Sequence, residues 1–398
     1  MSKCEYRRIP ELLWFQEGPG VRNTQYTRTG VKLLNVANLV NGKVDLSTSD
    51  RYISEDEAYG KYKHFLVDNG DFIIASSGIK VEYFDKKMGF VSSSQLPLCM
   101  NTSTIRFKVI DKSILDIKYF MYYLKSEDFK RQLDVNITGS AQLNFGPSHI
   151  KRMTVPLVPL SEQLAIIERL DKTNDIIEKL NHQLTLLDEL VKSRFVEMFG
   201  EPSVNPMGWE NTTVGNACYY IKDGPHKSLP DVGEGNGYPF ISVRNIVNGY
   251  IDFSTARYIS QEDYTDSIKK CHPQKGDMLY SKGGTTGIAK LIDVDIEFAN
   301  WVHLAVLKFD DTLNGVFFEY MLNSDYCYEQ SQRLTKGIAN RDLVLSAMAQ
   351  IKMYKPPIEQ QNQFADFVAQ VEKQKATVQK SIDKLEILKK SLMQKYFG

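Results

Sequence analysis

The chain has 398 residues, 42% of them hydrophobic and 25% charged, a composition typical of folded globular domains and a length sufficient for two to four of them. Its 49 basic and 49 acidic residues leave no net charge. That total does not exclude a nucleic-acid partner, because phosphates respond to local rather than total charge. No apolar run reaches the length of a membrane span, which excludes a transmembrane protein.

The five cysteines indicate a reducing compartment. They are odd in number and never spaced as C-x-x-C, which argues against a disulfide framework and against a structural zinc site. The N-terminal residues have no apolar core of the kind found in secretory signals. We therefore expect a cytoplasmic protein.

The first half of the chain changes from strand-rich to helical. Residues 71–75 and 104–109 are largely apolar between turn signals, which predicts strands. One short helix is expected over 115–131, with a counterpart over 313–332. From Ser161 to Phe199 no Pro or Gly intervenes and apolar residues alternate at spacings of three and four, which predicts one long helix.

The second half repeats the first in the same order. LNVANLVNGKVD at 34–45 matches ISVRNIVNGYID at 241–252. Collinear matches of this kind indicate an internal duplication. We expect the shared residues to hold a common fold and the differing residues to carry specificity. The other matched segments are Glu17-Gly18-Pro19 with Asp223-Gly224-Pro225, Tyr52-Ile53-Ser54 with Tyr258-Ile259-Ser260, Asn69-Gly70-Asp71 with Lys275-Gly276-Asp277, and Thr138-Gly139-Ser140-Ala141-Gln142 with Thr335-Lys336-Gly337-Ile338-Ala339-Asn340.

A second long helix is predicted at the end of the chain. Pro159-Leu160-Ser161-Glu162-Gln163 aligns with Pro357-Ile358-Glu359-Gln360, and Phe199-Gly200 aligns with Phe397-Gly398. Each helix has a narrow apolar seam, which requires a partner, and the simplest partner is the other helix. The seam residues are Ile166, Leu170, Ile177, Leu180, Leu184, Leu187 and Val191 in the first helix, and Phe364, Phe367, Val371, Val378, Leu385, Leu388 and Leu392 in the second.

These patterns predict an α+β fold with two similar strand-rich domains. The expected domains cover 1–158 and 201–355, and the long helices cover 159–200 and 356–398. The two helices are expected to pair as an antiparallel coiled coil, with the halves related by an approximate two-fold axis.

Motifs of catalysis are not found. The glycine-rich segment 283–290 does not match G-x-x-x-x-G-K-[ST], and the six histidines have no metal-ligand spacing. The sequence has neither a recognisable nuclease acid cluster nor an Asn-Pro-Pro-aromatic segment. We expect a chain without catalytic residues and without a metal site.

The doubled motifs resemble those of the DNA specificity (S) subunits of type I restriction-modification systems. The resemblance covers the whole chain and depends on the Gly-Pro turn, Asn-x-x-x-Gly, the Gly-Asp step, Gly139-Ser140-Ala141-Gln142, the Pro-x-x-Glu-Gln helix start and the Phe-Gly end. The second half departs from this pattern, because Gly337-Ile338-Ala339-Asn340 stands where the first half has the glutamine.

The resemblance implies a non-catalytic subunit that recognises a bipartite target in double-stranded DNA, one half-site per target recognition domain. Two methyltransferase subunits and motor-nuclease restriction subunits are the implied partners. S-adenosylmethionine and ATP would belong to those partners, and no cofactor is expected in this chain.

Candidate DNA-binding residues are polar side chains in the loops that the repeats share. Base edges are best contacted by Arg, Lys, Asn and Gln, and phosphates by Lys, Arg, Ser and Thr. The candidates are Arg22, Asn23, Gln25, Arg28, Ser76, Ser77, Lys80, Gln142 and Asn144 in the first domain, and His226, Lys227, Ser228, Lys282, Thr285, Thr286, Asn300, Trp301, His303, Asn340 and Arg341 in the second.

Two other functions stay open from the sequence. A coiled-coil scaffold whose repeated domains bind protein or glycan would have no DNA affinity above background. A nuclease with an unrecognised active site would cleave DNA alone in the presence of a metal ion.

Overall fold

The chain forms two compact units, Met1–Leu180 with Ser381–Gly398 and Asn181–Lys380. The structure is a computed structural model that describes residues 5–136, 143–338 and 340–398. No helix in this described part combines the length and apolar character that crossing a membrane requires. Each unit contains one strand-rich domain together with parts of both long helices.

The domain of the first unit has thirteen strands and five helices in its described residues. The strands are β1 Glu5–Arg8, β2 Leu13–Glu17, β3 Val31–Leu34, β4 Leu39–Val40, β5 Lys43–Val44, β6 Tyr52–Ile53, β7 Phe72–Ala75, β8 Ser77–Ile79, β9 Met88–Phe90, β10 Leu98–Met100, β11 Thr104–Val109, β12 Leu143–Asn144 and β13 Thr154–Leu157. The helices are α1 Ile9–Leu12, α2 Glu55–Tyr59, α3 Ile117–Leu124, α4 Glu127–Asn136 and α5 Pro147–Ile150.

The domain of the second unit has nine strands and five helices in its described residues. The strands are β14 Glu210–Thr213, β15 Tyr220–Asp223, β16 Tyr238–Ile241, β17 Arg257–Ile259, β18 Met278–Ser281, β19 Ala289–Leu291, β20 Ala299–Asn300, β21 Leu304–Lys308 and β22 Lys352–Lys355. The helices are α7 Val214–Ala217, α8 Gln261–Lys270, α9 Gly315–Leu322, α10 Asp325–Leu334 and α11 Leu345–Met348; the long helices are α6 Leu160–Phe199 and α12 Ile358–Phe397.

Three sheets have the same topology in both domains, which confirms the predicted α+β fold built from two repeats; the first domain adds the two-stranded pairs β4-β5 and β8-β12. An antiparallel four-stranded sheet has the order β2-β11-β7-β9 in the first domain and β15-β21-β18-β19 in the second. A mixed three-stranded sheet, β10-β3-β6, corresponds to β20-β16-β17. The terminal pair β1-β13 corresponds to β14-β22. The strand predicted at 104–109 is β11, and the strand predicted at 71–75 is β7.

The short helix predicted in each half is in fact a pair of helices. The break falls at a serine in both domains, where Ser126 Oγ accepts the Phe129 amide at 3.2 Å and Ser324 Oγ accepts the Cys327 amide at 3.4 Å. A serine that caps the next helix competes with continuation of the preceding one.

Aromatic packing joins the long helices to the domains. In the first unit, Phe397 at the end of α12 packs on Tyr119 and Tyr123 of α3, with ring centroids 5.2 and 6.0 Å apart. In the second unit, Phe199 at the end of α6 packs on Phe317 of α9, 4.9 Å away. Both phenylalanines belong to the buried cores of their units, which accounts for the doubled Phe-Gly motif.

A buried glutamine fixes the start of each long helix to the loop before α3 or α9. Gln163 Oε1 accepts the Asp116 amide at 2.9 Å, and its Nε2 donates to the Ile114 and Val158 carbonyls, each at 2.8 Å. Gln163 has a relative exposure of 0%, as does Gln361, its counterpart at the start of α12.

Gln361 makes the same three bonds in the second unit. It accepts the Asn314 amide at 2.8 Å and donates to the Thr312 and Pro356 carbonyls at 3.3 and 2.7 Å. The sequence alignment of Gln163 with Gln360 is therefore wrong by one residue, because the hydrogen bonds select Gln361.

The long helices run antiparallel, as predicted. Within the second unit Asp188 of α6 lies 2.8 Å from Lys375 of α12, and Phe195 lies 5.4 Å from Phe364. The partner residue number falls as the α6 number rises, which defines an antiparallel pair. In the first unit Arg169 Nη1 donates to the Tyr396 hydroxyl at 2.9 Å.

The predicted seam is correct for most of α6 and shifted in part of α12. Thr173, which falls at the seam spacing between Leu170 and Ile177, is buried and donates to the Arg169 carbonyl at 2.8 Å. In α12 the prediction omits Val368 and Ile382, each only 7% exposed, whereas the predicted Leu388 is 47% exposed. Apolar residues spaced by three and four can form either of two adjacent stripes along a helix. Which stripe is buried depends on the surface that packs against the helix.

The glutamine contacts lead to a stability prediction. Gln361→Ala should lower the free energy of unfolding by about 3 kcal/mol, because it leaves one amide and two carbonyls without their buried partner. Gln360→Ala, which removes the half-buried neighbouring side chain, should change it by less than about 0.5 kcal/mol. Thermal and urea unfolding monitored by circular dichroism measure both, and equal losses would contradict the assignment.

Candidate nucleic-acid interface

The Asn-x-x-x-Gly motif has the same architectural role in both units. Asn38 Oδ1 accepts the Asn35 amide at 2.9 Å, and its Nδ2 donates to the Asp45 carbonyl at 3.1 Å. Asn245 repeats both bonds with Ser242 and Asp252, at 2.9 and 3.0 Å. Since both asparagines are buried, the motif holds a loop and presents nothing to a ligand.

The Gly-Asp step orders the start of β7 and of β18. Asp71 accepts the Asp68 amide at 2.8 Å, and Asp277 accepts the Gln274 amide at the same distance. Each carboxylate also pairs with a cation from the neighbouring strand, Asp71 with Arg106 at 3.1 Å and Asp277 with Lys308 at 2.5 Å. This motif is also structural.

Three segments meet at the end of the four-stranded sheet in each unit, and we call this meeting point the junction. In the first unit it comprises residues 76–80, 101–104 and 143–146; in the second, residues 282–287, 300–304 and 340–343. The Ser76 amide donates to the Ser103 carbonyl, and the Phe145 amide to the Ser76 carbonyl, both at 2.9 Å.

The second junction has the same backbone bonds. The Lys282 amide donates to the His303 carbonyl at 2.8 Å, and the Leu343 amide to the Lys282 carbonyl at 2.7 Å. The backbone thus matches Ser76 with Lys282, Ser103 with His303 and Asn144 with Asp342. One backbone frame carries two different sets of side chains.

Apart from Lys80, the first junction carries uncharged side chains, many of them with hydroxyl groups. Ser77 Oγ donates to Ser103 Oγ at 2.6 Å, and Asn144 pairs in register with Ser77 across β12 and β8. Ser103 has φ of 66°, a left-handed conformation that is uncommon for a residue with a side chain. Asn144 is exposed and offers an amide that can both donate and accept.

The second junction carries charge. Lys282 is 5% exposed, and its ammonium lies 2.9 Å from Asp342 and 3.5 Å from Asp223. Asp223 also accepts Lys270 at 2.7 Å, and His226 lies 3.7 Å from it. Arg341 donates to Gln332 Oε1 and remains exposed.

The remaining candidates of the first domain divide between exposed and buried positions. Arg22, Asn23, Arg28 and Lys80 are exposed. Gln25 is half-buried and donates to Glu57 at 2.6 Å and to Tyr62 at 3.1 Å, so it supports its loop. Ser76 is buried, and Gln142 lies outside the described residues.

The remaining candidates of the second domain divide similarly. The exposed residues are His226, Lys227, Ser228, Thr285 and Asn340. Thr286 and Asn300 are buried: Asn300 donates to the Leu304 carbonyl at 2.8 Å, and Thr286 lies 3.0 Å from the Thr335 hydroxyl. Trp301 and His303 are half-buried with ring centroids 4.7 Å apart.

Sequence reasoning missed several residues in the junctions or beside them. Asp223 lies in the repeated Gly-Pro segment, and an acid beside that turn in both halves is a usable sequence signal. Ser103, Asp342 and Arg257, whose guanidinium lies 5.6 Å from the Trp301 ring, had no sequence signal. Their placement depends on contacts between segments that are distant in the chain, such as Ser76 with Ser103 and Lys282 with Leu343.

Comparison with known proteins identifies the repeat. A family model described as "Type I restriction modification DNA specificity domain" matches residues 5–186 and again residues 206–387. The chain belongs to this family. Each match spans a strand-rich domain and most of the long helix after it, so the family's repeating element is a domain with its helix.

Two relatives from Methanocaldococcus jannaschii are similar in sequence. The type I restriction enzyme MjaVIII specificity subunit is 26% identical over 178 residues, which are 44% of this chain and 40% of that protein. The putative type I restriction enzyme MjaX specificity subunit is 21% identical over 415 aligned residues, covering 98% of this chain and 91% of that protein. The chain therefore spans less than half of the first relative and most of the second.

Two solved structures share the fold. The S subunit of a type I restriction-modification system from M. genitalium has a TM-score of 0.56 at 14% identity, over 100% of this chain and 97% of that one. A chain from a structure of the assembly and conformational transition of the type I R-M system has a TM-score of 0.60 at 18% identity, over 100% and 98%. At such identities the likeness establishes the fold alone.

No cluster of three or more His, Cys, Asp or Glu side chains among the described residues could hold a metal ion. Burial raises the pKa of Cys99, Cys218 and Cys327 to about 12. These three thiols are therefore protonated at neutral pH and unsuited to nucleophilic attack.

The close approach of the Gly-Pro turn to the junction predicts an intolerance of side chains at Gly18. A β-carbon there would overlap the Asn101 carbonyl, whereas one at Gly20 would meet nothing within 4 Å. Gly18→Ala should destabilise the protein by about 2 kcal/mol, and Gly20→Ala should change stability by less than about 0.5 kcal/mol. Unfolding curves of the two variants provide the comparison, and similar curves would contradict this packing.

Proposed function

We propose that this chain recognises DNA sequence as the specificity subunit of a type I restriction-modification system. One observation supports this function above the others: two units share the backbone of the junction while its side chains differ. A duplicated enzyme site would keep its chemistry in both copies. Two readers of different half-sites require a common frame with different donors and acceptors.

Each unit in this proposal reads one half of a bipartite target. Residues 1–158 and 201–355 are the two target recognition domains. In the first, exposed Asn144 is suited to an adenine edge and Lys80 to guanine or phosphate. In the second, Arg341 and Asn340 are suited to base edges, and Lys227 is suited to the phosphates of the DNA backbone.

The proposed partners are two methyltransferase subunits and the restriction subunits of the complex. The relatives named as specificity subunits of type I restriction enzymes support this assignment. Chemistry would reside in the partners, which would bind S-adenosylmethionine and ATP, and the complex would act on DNA in the cytoplasm. This chain contributes recognition without turnover.

The proposal is tested by co-expressing the chain with the methyltransferase and mapping genomic methylation by single-molecule sequencing. We expect one bipartite motif with a fixed spacer, which disappears when the chain is omitted. Exchange of residues 1–158 for those of another family member should change one half of the motif and leave the other half intact.

The same assay separates the alternatives. If an active methyltransferase is present and no motif depends on this chain, the protein- or glycan-binding scaffold is favoured. DNA cleavage by the isolated chain with a divalent metal would favour a nuclease. Neither result is compatible with a recognition subunit.

Single substitutions should affect one half-site each. Asn144→Ala should reduce discrimination in the first half-site, and Arg341→Ala in the second, by about 1–3 kcal/mol for each lost base contact. Arg333→Ala, which removes an exposed arginine from α10 outside the junction, is the matched control and should leave both unchanged. Competition binding with oligonucleotides altered in one half-site measures these effects; loss in both halves would contradict the assignment.

A further inference from the structure

Lys282 occupies an unusual position for a residue in a DNA-binding loop. Its side chain is 6% exposed, and its ammonium lies between Asp342 at 2.9 Å and Asp223 at 3.5 Å. A buried ammonium loses its hydration and requires paired carboxylates in compensation. Reaching a phosphate would require the side chain to leave both partners.

Lys282 also holds the segment that carries Arg341. Its carbonyl accepts the Leu343 amide at 2.7 Å, and the next residue but one, Gly284, donates to the Arg341 carbonyl at 3.0 Å. Lys336 and Asp342 exchange two backbone bonds, each 2.9 Å, so that they close a short loop with Asn340 and Arg341 exposed on it. The backbone and the side chain of Lys282 thus both bind the segment that carries Asn340 and Arg341.

The first junction has no ion pair at the corresponding positions. Ser76 stands at the position of Lys282, and Asn144 stands at the position of Asp342. The Ser76 hydroxyl has no hydrogen-bond partner among the described residues, and the loop is joined there by backbone bonds and by strand pairing. The two units therefore hold their exposed loop residues by different means.

We propose that Lys282 is a positioning residue that sets the specificity of the second half-site by holding Asn340 and Arg341 through Asp342. It does not touch DNA itself. The inference depends on the proposed function, and it makes residues 282 and 342 a coupled pair that must be changed together when the specificity of this unit is altered.

The test uses the full chain assembled with its co-expressed methyltransferase subunits. Three variants, Lys282→Met, Asp342→Asn and the double variant, are compared for binding to DNA altered in either half-site. Each single variant should lose about tenfold or more of its discrimination in the second half-site and none in the first. The double variant should be no worse than either single variant, because two residues acting through one contact are not additive.

Salt dependence distinguishes positioning from direct contact. Removal of a lysine that binds phosphate weakens binding to all sequences and reduces the slope of log affinity against log salt by about one. Lys282→Met should leave this slope unchanged, and Lys282→Arg should restore second half-site discrimination. A reduced slope with uniform weakening would overturn the inference, as would additive losses in the double variant.

Lys290→Met controls for the general effect of breaking a largely buried ion pair, because the Lys290 and Glu319 side chains are 14% and 17% exposed. Lys290 lies 3.0 Å from Glu319 and links β19 to α9 outside the junction, so its loss should lower stability without changing half-site specificity. If Lys282→Met does not fold, the double variant, which removes both charges, is compared with Asp342→Asn alone. Equal discrimination in these two variants is the result expected if Lys282 acts through Asp342. Absence of any bipartite motif with the unaltered chain defeats the proposed function; a normal motif with retained discrimination in the variants defeats this inference alone.

Discussion

A buried glutamine at the start of each long helix is the contact on which the architecture depends. Gln163 and Gln361 are fully buried, and each binds one amide and two carbonyls of the backbone. Three bonds to backbone groups on two segments define both the position and the direction of the helix that follows. Within each unit the end of the other long helix is held as well, because its terminal phenylalanine, Phe397 in the first unit and Phe199 in the second, belongs to that unit's buried core.

The duplication shows which residues hold the fold and which are free to differ: the first recur in both units, and the second do not. Shared residues such as Asn38 and Asp71 mainly hold the geometry of loops and strands, and their side chains are buried. The frame they maintain tolerates a hydroxyl cluster in one unit and an ion-pair network in the other. The junction side chains differ between the units while the main backbone bonds of the junction are kept.

Much of this fold is accessible from the sequence because its signals are local. Helix periodicity, hairpin turns and the order of repeats predict two α+β domains and an antiparallel helix pair. The failures have a common cause. The choice between Gln360 and Gln361, and between Ile382 and Leu388, depends on the surface that faces the helix, and a one-dimensional pattern does not contain it. The burial of Lys282 follows likewise from Asp223, a residue on another strand. Which exposed residues contact bases depends on a docked duplex and stays a prediction.

The first unit is discontinuous in sequence, since Phe397 completes a core whose other buried members lie before residue 171. During synthesis this core is exposed until about two hundred further residues have been made, roughly 10–40 s at ribosomal rates. The second unit is continuous and has no such delay. The domain that is translated first is thus the last to be completed, and a ribosome-bound chain must keep an aromatic cleft between Tyr119 and Tyr123 uncovered while the rest of the protein folds.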